Sequence, residues 1–286
     1  MVSHTPKVVV RLMGGLGNQL FQYALGRAIE IECGAHVSFD PSLISRKNGR
    51  VYMLDRFTTK LQIAETPSPS HFDRFLRFLG LGHYITERQL AYMPYLFSRI
   101  KHGGTFYLDG YWQTEKYFNA IRKEILAEIT LATPLGEHAK AIARSIYESQ
   151  SVALHVRRGD YAANMGAQTV HDVCGIAYYQ RVLALMREKM PDAHFFIFSD
   201  DIRWVQENLD LDPAITTYVS GTGLSDEAEL VLMSSCKHQI IANSTFSWWA
   251  AWLNQNPSKI VIAPQQWFTD PTKDTSDLIP ASWLRL

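Results

Sequence analysis

Cysteine is scarce in this chain of 286 residues: it occurs only as Cys33, Cys174 and Cys236. The three are widely separated and lack the short spacing of metal-ligand pairs, which argues against a disulfide framework and against a structural zinc site. Neither sign of charge is in excess, because 28 Lys and Arg balance 28 Asp and Glu. We therefore expect no nucleic-acid partner, and any anion must be bound by a local cluster.

Long hydrophobic runs are also missing. No stretch reaches the roughly 20 apolar residues that span a bilayer, and the residues before Lys7 lack the basic and apolar regions of a secretory signal peptide. Together with the few scattered cysteines, this predicts a cytoplasmic protein. Apolar side chains are plentiful overall, at 47% with 12% aromatics, which is typical of a well-packed globular protein.

The second half of the chain alternates short β-branched or aromatic runs with longer amphipathic runs. This rhythm is typical of βα units wound into a parallel sheet. Strands are predicted at 151–156, 194–198, 215–219, 238–242 and 259–263. Helices are predicted at 177–190, 202–209, 225–236 and 245–254. The pattern predicts a Rossmann-like nucleotide-binding lobe at 149–286, although the fold alone does not indicate which nucleotide.

The first half begins with the same rhythm and then loses it. The predicted elements are a strand at 7–12, a helix at 19–32, a strand at 105–108, a helix at 115–129 and a connection at 133–150. Residues 65–104 are rich in aromatic and basic side chains, and we expect a helical insertion there with its aromatic face on the core. A membrane-surface helix is less favoured, because Asp73 and Glu87 interrupt the basic face. An acceptor-binding lobe at 1–148 would have this irregular character.

Two adjacent arginines follow the apolar run at 152–154, in the sequence His-Val-Arg-Arg-Gly-Asp-Tyr at 155–161. Open parallel sheets bind ligands beyond the carboxyl ends of their strands, and guanidinium groups make bidentate contacts with phosphate or carboxylate. Arg157 and Arg158 therefore indicate an anion site. The alternative is a surface loop that contains an Arg–Asp ion pair.

A glycine turn in the first half could bind an anion in another way. The sequence Gly-Gly-Leu-Gly-Asn-Gln at 14–19 lies between a predicted strand and a predicted helix. Gly15 and Gly17 would allow the backbone to approach a ligand at the helix start. The spacing matches neither a dinucleotide fingerprint nor a P-loop, and simple turn chemistry explains it equally well.

A second turn of this kind begins at Asn243, directly after a predicted strand. Ser244 or Thr245 can cap the helix that follows, whose first amide groups would face the same crevice as the arginines. The tryptophans of this helix are expected to pack in the core.

Carboxylates occur at three further places. Ser199 or Asp200 would cap the helix after the second strand of the lobe. The Asp-Leu-Asp run at 210–212 has the pattern of a metal-binding motif, but it follows a helix and precedes Pro213, so we expect no metal there. Glu229 would lie on a solvated helix face, although a carboxylate can also accept the paired N–H groups of a guanine edge.

Together, these blocks resemble glycosyltransferase family 11, the α-1,2-fucosyltransferases, in its soluble bacterial form. The resemblance covers nearly the whole chain. It rests on Gly-Gly-Leu-Gly-Asn-Gln-Leu-Phe-Gln-Tyr-Ala at 14–24, Gly-Tyr-Trp-Gln at 110–113, the arginine motif at 155–161, Phe-Ser-Asp-Asp at 198–201 and the block at 243–253. It implies an α/β, GT-B-like fold in which two Rossmann-like lobes face a cleft. It also implies GDP-β-L-fucose as donor, inversion of the anomeric centre, and no metal or other cofactor.

The resemblance implies roles for particular residues. Arg157 would contact the β-phosphate and act in catalysis, His155 would contact the nucleotide, and Asn18 would lie near the reacting centre. Arg158 would bind the donor or support the loop through Asp160, and Glu229 would read guanine. The other expected donor-binding residues lie at the two turns: Gly15, Gly17, Asn243, Ser244, Thr245 and Phe246. These cations and helix starts would neutralise the leaving pyrophosphate.

The general base and the acceptor are less defined. Asp160 and His171 are the candidate bases, and departure of the leaving group without a base is the alternative. The expected acceptor is the 2-hydroxyl of a terminal β-galactoside on a glycan, and a lipid-linked glycan would bring the protein to the membrane surface. The competing functions are another fucosyl linkage, such as α-1,6, and a non-catalytic protein that binds a glycan or a nucleotide.

Overall fold

A computed structural model of the protein describes residues 5–44, 50–64, 84–158 and 173–286. The chain divides into two compact units, Met1–Ala132 with Asp274–Pro280, and Thr133–Lys273 with Ala281–Leu286. The sequence-based boundary lies at 148/149 instead. The segment between the two boundaries belongs with the second unit, because a helix within it packs on that unit's sheet.

The first unit contains a parallel sheet of four strands. The strands are β1 Lys7–Arg11, β2 His36–Asp40, β3 Tyr84–Thr86 and β4 Thr105–Asp109, in the order β2-β1-β4-β3. The helices are α1 Leu16–Cys33, α2 Leu96–Lys101 and α3 Arg122–Glu128, with 3₁₀ turns at Leu54–Arg56, Glu115–Tyr117 and Asn119–Ile121. Because the chain runs from β1 to β2 on one side and β4 lies on the other, the sheet has a switch point between β1 and β4. Open α/β sheets bind ligands at such points.

The second unit contains a parallel sheet of six strands. They are β5 Gln150–Val156, β6 Ala193–Ser199, β7 Thr216–Tyr218, β8 His238–Ile240, β9 Val261–Ala263 and β10 Leu284–Arg285, in the order β7-β6-β5-β8-β9-β10. Its helices are α4 Glu137–Glu148, α5 Ile176–Lys189, α6 Ile202–Asn208, α7 Asp226–Ser235 and α8 Thr245–Leu253, with a 3₁₀ turn at Pro213–Ile215. Counted from β5, this is the Rossmann order 3-2-1-4-5-6.

The α/β class and the two lobes with parallel sheets are confirmed. All five strands and four helices predicted in the second half are present, with ends shifted by at most two residues. Strands β5 and β6 are buried at nearly every position, as expected of parallel strands covered on both faces. The core role of the tryptophans is also confirmed: Trp248, Trp249 and Trp252 are buried and pack against one another.

The helix predicted at 115–129 is wrong in its first half. The side chain of Thr114 accepts a hydrogen bond from the amide of Lys116 and starts a 3₁₀ turn. Phe118 then adopts φ −136°, outside the helical range, with its ring buried in the core. Regular helix begins only at α3, so burial of an aromatic side chain overrides the local helical preference here.

Two other segments of the chain differ from prediction. The connection expected at 133–150 contains α4, whose buried residues Ala139, Ile142 and Ile146 have the spacing of an amphipathic helix. The helical insertion expected at 65–104 contains strand β3 in its second part, and only α2 there is helical. Its first part, 65–83, lies outside the described residues.

A buried ion pair joins α1 to α3. Arg27 contacts Glu128 through two hydrogen bonds of 2.8 Å, and the hydroxyl of Tyr23 donates to the same carboxylate at 2.6 Å. Burial alone would raise the pKa of Glu128, but the hydrogen bonds from Arg27 and Tyr23 outweigh it and lower that pKa. This network fixes the helix that begins at the glycine turn.

Two properties of the chain complete the description. Among the helices of the described residues, none combines the length and the hydropathy needed to cross a membrane. No disulfide joins the three cysteines, all of which lie in described segments.

Candidate functional site

Most of the predicted donor-binding residues of the second unit lie at the carboxyl edge of its sheet. Arg157 and Arg158 follow β5, Asp200 follows β6, and Ser244 lies beyond the end of β8. Strands β5 and β8 are the first and fourth in the Rossmann order, so the switch point lies between them. Residues far apart in sequence therefore meet where this fold binds nucleotides.

Asp200 organises the arginine loop. A carboxylate oxygen of Asp200 lies 3.1 Å from Nη1 of Arg157, and its other oxygen accepts the backbone amide of Arg158 at 2.7 Å. The guanidinium of Arg158 lies 4.5 Å from the ring centroid of Trp204, in a cation–π contact. Asp160, which was predicted to support the loop through Arg158, lies outside the described residues. Asp200 holds the start of the loop and leaves a third of the Arg157 side chain exposed.

The predicted helix cap at this loop is wrong by one residue. Asp201 caps α6, because its carboxylate accepts the amide of Trp204 at 3.0 Å. Ser199 accepts the amide of Asp201 instead of capping the helix. With capping assigned to Asp201, the carboxylate of Asp200 is available to the arginine loop.

His155 is buried beneath the arginine loop, where 5% of its surface is exposed. Burial and the nearby charge of Arg157 lower the pKa of His155 to about 3. The imidazole is therefore neutral near pH 7. Its ring lies 5.9 Å from that of Phe246, and its Nδ1 has no hydrogen-bond partner among the described residues. A neutral ring with an unused polar atom suits a contact with a bound nucleotide.

The start of α8 has the capped geometry expected from its sequence. Ser244 is the cap: its hydroxyl accepts the amide of Phe246 at 3.3 Å. Thr245 is the first residue of the helix and not the cap. Asn243 donates to the carbonyl of Trp267 at 3.1 Å, which fixes the preceding loop. The first amides of a helix have no acceptor within the helix and carry partial positive charge, so this turn can bind an anion.

Glu229 does not lie on a solvated helix face. Its carboxylate accepts a hydrogen bond from the hydroxyl of Ser220 at 2.6 Å. The hydroxyl oxygen of Ser220 in turn accepts a hydrogen bond from the backbone amide of Ser199 at 3.0 Å. Burial raises the pKa of Glu229, and the hydrogen bond from Ser220 partly opposes the shift. Two hydrogen bonds therefore connect Glu229 to the end of β6, one residue before Asp200.

In the first unit, the glycine turn directly follows β1, one of the two strands that flank the switch point. Gly15 is the residue before α1 and has no side chain to cap it, and Gly17 lies in the first helical turn. Gly14 has φ +80°, and a Cβ atom at this position would collide with the side chain of Asn18. Gly14 therefore has to be glycine both for its backbone and for its contact with Asn18.

The Gly-Tyr-Trp-Gln block contributes a residue to which the sequence assigned no role. Gln113 follows β4, is 8% exposed, and donates from Nε2 to Oδ1 of Asn18 at 2.8 Å. The two residues are 95 positions apart. The sequence signal for a role of Gln113 was the position of the block directly after a strand. Only the pairing of β4 with β1 shows that Gln113 lies beside Asn18.

Two kinds of candidate residue remain, the possible metal ligands and the candidate bases. In the described segments no group of three or more His, Cys, Asp and Glu side chains could hold a metal ion. Asp212 caps the 3₁₀ turn at Pro213–Ile215 through the amide of Ala214. The candidate bases Asp160 and His171 lie outside the described residues.

The second unit is an α/β lobe of the Rossmann type with an arginine loop at its switch point, and comparison with known proteins identifies the family. Residues 84–286 match glycosyl transferase family 11. The α-1,2-colitosyltransferase of Escherichia coli is 34% identical over 98% of this chain and 98% of its own length. The O-antigen biosynthesis glycosyltransferase WbnK of Escherichia coli is 30% identical over 96% of this chain and 99% of its own.

A mammalian protein is similar as well. Galactoside alpha-(1,2)-fucosyltransferase 2 of Oryctolagus cuniculus is 27% identical over 88% of this chain and 69% of its own length. The chain belongs to glycosyl transferase family 11 and is a glycosyltransferase.

Proposed function

We propose that the protein transfers L-fucose from GDP-β-L-fucose to the 2-hydroxyl of a terminal β-galactoside, with inversion and without a metal. The observation that carries the proposal is the arrangement of Arg157, Arg158 and Asp200 at the end of β5. Fixed positive groups at a nucleotide-binding edge are what a departing diphosphate requires when no metal neutralises it. The names of two relatives, the colitosyltransferase and the rabbit fucosyltransferase, support α-1,2 transfer of a deoxyhexose.

In this proposal the second unit binds the donor and the first unit contributes to the acceptor side. The acceptor oxygen forms a bond to the anomeric carbon while the bond from that carbon to the phosphate oxygen breaks. GDP leaves with the electron pair, and Arg157 and the first amides of α8 stabilise its charge. The acceptor proton passes to a base, for which Asp160 and His171 are the candidates. His155 contacts the nucleotide as a neutral ring, and Asn18 orients a sugar hydroxyl.

The proposal includes recognition of guanine by Glu229. A carboxylate accepts two neighbouring N–H groups at once, which matches the Watson–Crick edge of guanine and not that of adenine. The tie to Ser220 supports this role, because it fixes the direction of the side chain. Glu229→Gln replaces one acceptor with a donor, so the preference for GDP over ADP in calorimetric binding should fall by about tenfold or more.

Transfer of colitose is a second candidate, favoured by the colitosyltransferase that is 34% identical over nearly the whole chain. Colitose lacks the 3-hydroxyl of fucose. A site that hydrogen-bonds this hydroxyl would reject GDP-colitose by about 10⁴-fold, whereas a site that leaves it alone would accept both donors. We therefore propose competition between GDP-fucose and GDP-colitose as the test of the donor.

The experiment uses purified protein, lactose as acceptor and excess EDTA, with a parallel reaction in manganese. We expect release of GDP and formation of a fucosylated trisaccharide at the same rate in both reactions. Strong preference for GDP-colitose would overturn the fucosyl assignment, and dependence on manganese would overturn the metal-free mechanism. Activity on lipid-linked galactosides in vesicles, compared with lactose, would test whether a membrane-bound glycan is the acceptor.

A further inference from the structure

Asn18 and Gln113 meet at the switch point of the first sheet. Asn18 lies in the first turn of α1, after β1, and Gln113 lies four residues beyond the end of β4. Strands β1 and β4 are hydrogen-bonded neighbours, with Val10 opposite Leu108. The hydrogen bond from Gln113 to Asn18 therefore spans the place where an open α/β sheet binds its ligand.

The bond determines which end of the Asn18 amide faces the glycine turn. Because Nε2 of Gln113 donates, the oxygen of Asn18 must face Gln113. The nitrogen of Asn18 then lies against Gly14, at the position where a Cβ atom would collide with it. Reversing the Asn18 amide while Gln113 keeps its orientation would bring two N–H₂ groups together, so the donor of Gln113 favours an N–H₂ group of Asn18 at the turn.

Glu87 holds the turn that places Gln113. Its carboxylate accepts the backbone amides of Tyr111 at 2.7 Å and Trp112 at 3.1 Å. Trp112 has φ +58°, and it is the one non-glycine residue with positive φ among those described. Such a conformation is strained and persists only where its surroundings hold it. A Cβ atom on Gly110 would collide with Glu87, so the close approach of the carboxylate depends on glycine there.

We propose that Gln113 is a positioning residue for sugar transfer, which keeps the amide nitrogen of Asn18 toward the glycine turn, and that Glu87 holds Gln113 through the turn at Trp112. The inference rests on the proposed function, because it assumes that Asn18 orients a sugar hydroxyl. It assigns a role to the Gly-Tyr-Trp-Gln block and to a carboxylate outside every motif.

The test is Gln113→Glu, which preserves shape but turns the donor into an acceptor. The Asn18 amide then reverses and presents its oxygen to the turn. Misplacing a catalytic contact costs about 10²-fold, so we expect kcat to fall by about that factor. The affinity for GDP should change by less than about twofold, because the side chains proposed to bind GDP, those of His155, Arg157 and Glu229, lie in the other unit. Gln89→Glu, the same change at an exposed position two residues from Glu87, is the matched control.

A double-mutant cycle separates positioning from a general structural role. If Gln113 acts through Asn18, Gln113→Glu should cause no further loss of kcat in an Asn18→Ala background. Glu87→Gln should behave in the same way. A wild-type kcat in Gln113→Glu, or equal losses in both backgrounds, would overturn the proposal.

A readout without catalysis distinguishes this inference from the proposed function. The side-chain amide resonance of Gln113, assigned by its absence in Gln113→Glu, should shift in Asn18→Ala. A resonance that does not shift would refute the contact itself. The resonance can shift in Asn18→Ala even if the wild-type protein transfers no sugar. In that case the contact between Gln113 and Asn18 is real, but the proposed function fails. The positioning role in fucosyl transfer is then overturned together with it.

Discussion

Replacing Arg157 with alanine is the perturbation with the largest expected effect on turnover. Loss of one donor that stabilises developing charge costs about 10²–10³-fold in kcat. A second effect comes from Asp200, whose carboxylate lies 3.1 Å from Nη1 of Arg157. Without the guanidinium, its charge opposes that of the leaving diphosphate.

The size of the second effect follows from Coulomb's law. At about 6 Å and an effective dielectric constant of about 20, two unit charges repel by about 3 kcal/mol. The Asp200 side chain is 24% exposed, so solvent screening reduces this to about 1.5 kcal/mol, or roughly tenfold. We therefore expect Arg157→Ala to lower kcat by about 10³–10⁴-fold. Adding Asp200→Asn should recover about tenfold of that loss.

The assay is release of GDP and formation of trisaccharide from GDP-fucose and lactose, with thermal unfolding as the check on folding. Arg203→Ala is the matched control, because Arg203 is 86% exposed and pairs only with Glu207 across one turn of α6 in the contacts described. Its kcat should be unchanged. If kcat of Arg157→Ala stays within tenfold of wild type, Arg157 does not stabilise the leaving group.

Three further predictions concern other parts of the molecule. Gly14→Ala should lower kcat by tenfold or more, because the left-handed backbone and the collision with Asn18 displace that side chain; unchanged kinetics would contradict this. Glu128→Ala should lower the free energy of unfolding in urea by about 3 kcal/mol, since it removes two hydrogen bonds from Arg27 and one from Tyr23 and leaves Glu30 as the remaining described carboxylate partner of the buried Arg27. Because the pKa of Glu128 is depressed in the folded state, its contribution to stability is present above pH 4.5 and is lost as the pH falls through the lower pKa of the folded state. If the stability of Glu128→Ala falls with pH in the same way as that of the wild type, this prediction is refuted. The ring of His155 should stay neutral between pH 5 and 8 in NMR titrations, since its pKa is lowered to about 3; a midpoint near 6.5 would contradict the burial argument.

The central strands of the second lobe were predictable because they are buried on both faces. Continuous apolar runs such as those of β5 and β6 show up directly in the sequence, and the predicted order of strands and helices is present. The arginine loop was predicted as an anion site because it directly follows such an apolar run. The region around Phe118 was not predictable, because a local helical pattern gave way to the burial of one aromatic ring.

The contacts within the site were harder to predict than the motifs. Asp200 and Asp201 are adjacent and equally able to cap a helix, so only the structure shows that one caps α6 while the other pairs with Arg157. Gln113 and Asn18 are 95 residues apart and meet because β4 pairs with β1. Strand order in the first sheet depends on long-range packing, which a single sequence does not display.

The proposed transfer is tested most directly by the linkage of the product that the purified protein forms in EDTA from GDP-β-L-fucose and lactose, followed by NMR as the reaction proceeds. We expect a single product with α-linked fucose on the 2-hydroxyl of galactose, formed without any β-linked product. Fucose attached at another position, a β-linked product, or no transfer until manganese is added would contradict it.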